Sequence, residues 1–175
     1  MTESYKICFH VMDLVGPQNA CIGLAQILQQ RGHQIVFLIN EQFAHRFDKY
    51  GFTEVLLKED EERLKQNAEA NPIEKVSQDL KKCGLLSNMS SLEKGKQMAK
   101  VDFFESVYNK SVDFEPQLKT FLEAEMPNLI IVDSYIVAPC LINSNIPWIY
   151  LFCSNPLGLF DDDNLPPFTS GIFFC

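Results

Sequence analysis

Apolar positions along the chain fall into short unbroken runs, separated by longer stretches where they recur every three or four residues. Tyr5 to Met12 is such a run, rich in strand formers. A turn-rich loop, Asp13-Leu-Val-Gly-Pro-Gln-Asn19, follows it, and then a helical stretch from about Ala20 to Gln30 with Asn19 as its N-cap. Cys21, Ile22, Leu24, Ala25, Ile27 and Leu28 make that helix apolar on most faces, as packing on a sheet requires, and Gly32 ends it. Gln34 to Ile39 is a second unbroken run bounded by polar residues, the pattern of a strand covered on both faces. Glu41 to Tyr50 reads as a helix stopped at Gly51, and Thr53 to Leu57 as a third strand.

The alternation then pauses. From Lys58 to about Tyr108 a charge run, Glu59-Asp-Glu-Glu62, opens a stretch without a strand signal, read as a helical insertion at about 58–110. Within it Ser90-Ser-Leu-Glu93 fits a capping box, and Leu92, Ala99, Phe103 and Val107 recur at helical spacing beside Met98 and Phe104. Asp113 to Glu125 predicts a further helix, with Pro116 in its first turn and Phe114, Leu118, Phe121 and Leu122 on one face. Asn128 to Asp133 is another buried strand, ending in an acid. Tyr135 to Asn143 reads as a short helix and Pro147 to Phe152 as the next strand. Parallel neighbours need crossover connections, so this order predicts an α/β fold. It reads as a Rossmann-like parallel sheet flanked by helices, for which the doubly wound strand order 3-2-1-4-5 is assumed. The whole chain, 1–175, reads as one such domain, incomplete at its apolar C-terminal end.

Composition narrows the functions. A hydrophobic fraction of 46% over 175 residues supports a packed core, and a formal net charge of −8 repels polyanions, so neither nucleic acid nor an anionic membrane is an expected partner. The start, Met1-Thr-Glu-Ser, has no basic n-region, and Ile7 to Met12 is too short for a signal core or a membrane span. The expectation is a cytoplasmic protein whose six cysteines stay reduced.

In a doubly wound sheet, ligands collect beyond the carboxyl ends of the strands where the strand order reverses. Here that places the loop Asp13 to Asn19 beside Asp133. An acid at that edge can orient a base or hold a ligand hydroxyl; it can equally cap the helix that follows. Phe103, Phe104 and Tyr108 can line an apolar pocket or pack against the sheet. No Gly-x-Gly-x-x-Gly, P-loop or Gly-x-Ser-x-Gly pattern is present. His10, His33 and His45 share no ligand spacing with each other or with cysteine, and no Cys-x-x-Cys occurs, so no metal site is expected.

Four segments carry a resemblance. Gly16-Pro-Gln-Asn-Ala-Cys-Ile-Gly-Leu-Ala-Gln26, Arg31-Gly-His-Gln-Ile-Val-Phe37, Pro127-Asn-Leu-Ile-Ile-Val-Asp-Ser134 and Leu165-Pro-Pro-Phe-Thr-Ser-Gly171 together resemble the N-terminal half of UDP-glycosyltransferases, and look most like arthropod, mite-like members. The resemblance implies the first of the two Rossmann-like domains of a GT-B fold, the one that binds the acceptor. It also implies a histidine after the glycine that follows strand one, which deprotonates the acceptor hydroxyl, and an aspartate at the end of strand four that orients it. The matching positions are Pro17 and Asp133. Asp13, Gly16, Gln18, Asn19, Phe103, Phe104 and Tyr108 are the corresponding acceptor-binding candidates.

Proline carries no base, so by this resemblance the dyad keeps its acid and loses its proton acceptor. Gln18 is neutral, and His10 lies upstream inside the strand, so neither replaces it. The expected activity is hexosyl transfer from a UDP-sugar to a small lipophilic hydroxyl compound, with this chain inactive alone. No cofactor is implied; the UDP-sugar is a co-substrate once a donor-binding domain or chain is supplied. The alternative is a non-catalytic small-molecule-binding module, or a subunit that pairs with a separate donor-binding chain.

Overall fold

The computed structural model describes residues 3–67, 77–78, 80–82, 84, 87–98, 100–101, 103–153 and 164. They divide into two compact units. The first comprises Met1–Asp60 with Val107–Cys153, and the second Glu61–Ser106 with Ser154–Cys175. Ala99, Cys83, the acidic run 161–163, and the segments 165–171 and 171–175 lie outside the described residues.

The first unit is built on five parallel strands: β1 (Lys6–Val11), β2 (Gln34–Asn40), β3 (Thr53–Leu57), β4 (Leu129–Asp133) and β5 (Trp148–Tyr150). Their order is β3-β2-β1-β4-β5, the one assumed from the doubly wound pattern. β1 lies at the centre, with Cys8 opposite Val36 on one side and Ile130 on the other. Successive side chains of a strand point to opposite faces, so a central strand covered on both faces is buried and mostly apolar, His10 being the buried polar residue of β1. Residues Ile7 to Val11 are accordingly all buried.

The two faces have separate cores. On one, Ile7, Phe9, Val11, Ile35, Phe37, Ile39 and Ile131 meet α1 (Val15–Gln30) through Cys21, Ile22 and Ala25. On the other, Cys8, Val36, Leu38, Ile130 and Val132 meet a long helix through Phe114, Leu118 and Leu122, spaced four apart on one stripe. Ala138 and Leu141 complete that second layer.

In the second unit, α2 (Glu61–Asn67) and α3 (Ser91–Met98) are the complete helices among the described residues. The capping box predicted at Ser90 forms: Ser90 Oγ accepts from the Glu93 N–H at 3.3 Å, and Glu93 Oε2 accepts from the Ser90 N–H at 3.1 Å. The next helix, α4 (Phe103–Glu125), is longer than the predicted 113–125, so Pro116 stands in its interior. Pro116 has no N–H for the carbonyl of Val112, which sits on a solvent-facing stretch (Val112 is 44% exposed), and the buried Phe114–Leu118–Leu122 stripe carries the helix through.

Three other expectations differ. The residues read as a loop, Gly16 to Asn19, are the first turns of α1, whose N-cap is Leu14 and not Asn19. Gly and Pro look like turn residues, but the first N–H groups of a helix need no intrahelical acceptor, so Pro17 fits the opening turn. Glu41–Tyr50 is not one helix but two 3₁₀ turns, Glu41–Phe43 and Asp48–Tyr50. His45 between them has a left-handed φ of 67°, and the Glu54 carboxylate takes the His45 and Phe47 N–H groups at 2.7 and 2.6 Å, in place of helical acceptors. This seats Phe47 in the core, stacked on Phe37 at 4.0 Å. Finally, 135–143 is helical only as α5 (Pro139–Asn143), where Pro139 opens the turn.

Candidate functional site at the strand-order reversal

The reversal lies between β1 and β4, where Val11 pairs with Asp133 and the Met12 N–H donates to the Asp133 carbonyl at 2.7 Å. Paired residues of neighbouring strands share a face. Asp133 therefore belongs to the face covered by α1, together with Val11 and Ile131. It is buried, at 3% exposure, and its Oδ2 has no hydrogen-bond partner among the described residues. Burial pushes its pKa up, partly offset by the thiol and backbone N–H of Cys153, which donate to the carboxyl group.

Above it runs the buried stripe of α1: Gln18, Cys21, Ile22 and Ala25. Gln18 is fully buried, and both its amide oxygen and its amide nitrogen lack partners among the described residues. Each such buried polar atom costs about 1–3 kcal/mol unless a water or ligand satisfies it. Gln18 and Asp133, both on the α1 side of the sheet, thus leave buried polar atoms unpartnered among the described residues. Cys21 and Cys153 join them. Their sulfurs and an Asp133 oxygen lie within 4.8 Å of one another. Burial raises both thiols to about 12, reinforced at Cys21 by the neighbouring Cys153 and Asp133 and at Cys153 by its hydrogen bond to Asp133. Positions 21, 133 and 153 are far apart in sequence. The buried helix stripe and the acid at the strand end were the readable signals, but only the sheet pairing brings the third residue in.

The remaining predicted residues are distributed differently. Asp13 belongs to a charged cluster at the carboxyl ends of β1, β2 and β3. Lys110 Nζ, from α4, contacts Asp13 Oδ2 at 2.8 Å and Glu59 Oε1 at 3.1 Å, and Asn40 Nδ2 donates to both carboxylates, at 3.2 Å to Asp13. Burial opposes the Lys110 ammonium, yet Asp13 and Glu59 outweigh it and hold its pKa above the ordinary value. Gly16 and Asn19 are exposed, and Asn19 Oδ1 accepts from Arg46 at 3.1 Å. Pro17 is half-buried. The aromatic trio divides between the two units. Tyr108 is 56% exposed in the first, while Phe103 and Phe104 meet edge-on at 5.3 Å in the second.

His10 is a core residue. Its side chain points to the face of the sheet opposite Asp133, edge-on to Phe114 at 6.4 Å, and its Nδ1 donates to the Leu38 carbonyl at 3.4 Å. Burial lowers its pKa, against the smaller opposing effects of that hydrogen bond and of Asp13. The neutral ring is therefore the folded form. Stability from His10 is complete above its unfolded pKa of about 6.5 and is lost as pH falls toward the depressed folded value, with a slope of up to about 1.4 kcal/mol per pH unit. In urea unfolding at pH 7.5, 6.5 and 5.5, the wild-type chain is expected to lose stability relative to His10→Gln as pH drops. Parallel curves for the two chains would remove this role.

No family model matches the chain, and none of the curated proteins searched matches it. Solved structures do. A glycotransferase of kitacinnamycin superposes with a TM-score of 0.56 at 16% identity, over 87% of this chain and 31% of that one. The glycosyltransferase SnogD from Streptomyces nogalater gives 0.55 at 14% identity, over 86% and 37%. SsfS6, a glycosyltransferase of Streptomyces sp. SF2575, gives 0.51 at 12% identity, over 83% and 38%. The likeness is one of fold, a parallel sheet between helix layers. It lends no support to an arthropod or mite-like origin. The chain spans about a third of the length of the solved structures it matches.

Proposed function

We propose that the chain is the acceptor-binding half of a GT-B UDP-glycosyltransferase, acting in the cytoplasm on a small lipophilic hydroxyl compound, with UDP-sugar bound by a donor-binding domain or chain. One observation carries the reading: Asp133 ends β4 at the strand-order reversal, buried, with a free carboxyl oxygen under the N-terminal turns of α1. A carboxylate there accepts a hydrogen bond from an acceptor hydroxyl or from a base between them. The Gln18 amide, one turn before Cys21, supplies a donor and an acceptor for the same ligand. Fold likeness to glycosyltransferases supports the placement.

Pro17 favours a second reading. Without a base at that position the domain holds its lipophilic ligand and transfers nothing, serving as a binding module or as one subunit of a pair. Calorimetric titration of the full chain with UDP-glucose, and separately with a panel of phenolic and aliphatic alcohols, tests what the two share. Alcohols are expected to bind and UDP-glucose not to bind, and Asp133→Asn should weaken alcohol affinity about tenfold, the value of one hydrogen bond to a charged group. Binding of UDP-glucose alone, or of neither by a chain with a cooperative unfolding transition, would overturn the acceptor-half reading.

A further inference from the structure

We infer that Cys21, Asp133 and Cys153 form a binding site for a borderline-soft divalent metal ion of the zinc class, independent of the glycosyltransferase reading. Two sulfurs and a carboxylate oxygen, one from each residue, lie within 4.8 Å of one another. Tetrahedral zinc, with zinc–sulfur distances of about 2.3 Å and zinc–oxygen distances of about 2.0–2.2 Å, needs its ligands about 3.5–3.8 Å apart. The three groups are thus at most about an ångström of side-chain adjustment from the required triangle.

Three supports of different rigidity hold them. Cys21 is fixed by the buried stripe of α1 and Asp133 by the end of a central strand, whereas Cys153 lies just past β5 and is exposed. An ion can enter from the Cys153 side. Asp133 Oδ2 is buried without a partner, which is costly for a residue whose only task is capping and natural for one awaiting a cation. A tetrahedral ion held by these three residues would take a water as its fourth ligand, and the Gln18 amide, one turn before Cys21 and unpartnered on both polar atoms, offers the donor and acceptor that outer partners of metal sites supply.

The donor set selects the metal. Thiolates favour zinc and other soft ions over magnesium or calcium, which demand oxygen ligands. Binding forms two metal–sulfur bonds and one metal–oxygen bond and releases the two thiol protons to solvent. Nothing is oxidised or reduced. The other such cluster among the described residues is His45, Asp48 and Glu54; His45 and Asp48 are exposed and the Glu54 carboxylate is already committed to two backbone N–H groups, so it has less to offer an ion.

The full chain, stripped of metal and kept reduced, should take up one equivalent of zinc against a chromophoric chelator, and one equivalent of cobalt(II) with sulfur-to-metal charge-transfer absorption. Cys153→Ser, at an exposed position, should lower zinc affinity at least a hundredfold, with Cys21→Ala doing the same and Asp133→Asn lowering it at least tenfold. Cys140→Ser should leave it unchanged. Bound zinc should also protect both thiols from iodoacetamide until chelator is added. Uptake unaffected by Cys153→Ser, no stoichiometric uptake by a folded reduced chain, or a metal-free Cys21–Cys153 disulfide in the freshly purified protein would each overturn the assignment. Alcohol binding tests the proposed function separately, since it requires no metal.

Discussion

Phe37→Ala is expected to destabilise the sheet unit by about 3–5 kcal/mol, the range for removing a fully buried phenylalanine from a close-packed core. Phe37 has no exposed surface and sits where three other rings converge, with centroids 5.0 Å away at Phe9, 4.0 Å at Phe47 and 5.4 Å at Phe52. The change removes its transfer free energy and also the stacking partners of the other three, and a central parallel strand cannot shift to fill the void without breaking its pairing on both sides. Against a typical domain stability of about 5–15 kcal/mol, this is a large share. Urea unfolding followed by far-UV circular dichroism measures it. Ile27→Ala on the exposed side of α1 (Ile27 is 50% exposed) is the control, expected within about 0.5 kcal/mol of wild type. A loss at Phe37 no greater than at Ile27 would mean that the aromatic cluster does not stabilise the sheet unit.

On the proposed function, Pro17→His in a chimera that joins this chain to a glycosyltransferase donor-binding domain should raise sugar transfer at least tenfold, and Asp133→Asn should abolish the gain. A positioned general base is worth about 10²- to 10⁴-fold, roughly 3–5 kcal/mol of barrier, so a tenfold gain allows for imperfect placement. Position 17 is in the opening turn of α1, one helical turn before Cys21, and Cys21 Sγ is within 4.8 Å of an Asp133 oxygen. A histidine takes up helical geometry there without strain. The positive end of the helix dipole favours its neutral form, the one that accepts a proton, while Asp133 stabilises the imidazolium once the proton has moved. The assay runs with chelator, so that a metal ion on Asp133 does not mask the effect. Equal rates with and without the histidine, or a gain that survives Asp133→Asn, would remove the dyad from these two positions.

Much of the architecture was legible because a buried parallel sheet imposes one strong rule. Strands covered on both faces must be apolar at consecutive positions, and Gln34–Ile39 and Asn128–Asp133 obey it within a residue of their observed bounds. Right-handed crossovers leave few arrangements, and the observed strand order is the assumed doubly wound one. Local signals failed where a side chain from elsewhere supplied the deciding hydrogen bond. The helix read at Glu41–Tyr50 was lost to the Glu54 carboxylate, which takes two of its N–H groups, and to the drive to bury Phe47.

The candidate site divides the same way. Asp133 could be found from sequence, because an acid closing an apolar run at the order reversal stands at a predictable edge. Asp13 was placed at the same edge, yet its partners Asn40 and Lys110, and the Glu59 carboxylate that shares them, come from elsewhere in the chain and became visible only in three dimensions. The parity of β1 settles the role of His10, since one residue's difference in position turns it to the face away from Asp133. By itself, then, the sequence determined the layers, the parallel alternation and the acid closing the fourth strand, all of which follow from periodicity and chain connectivity. The tertiary structure alone decided which groups that acid meets. Cys21 and Cys153 reach it through the packing of α1 and the strand pairing, and no spacing along the chain encodes those distances.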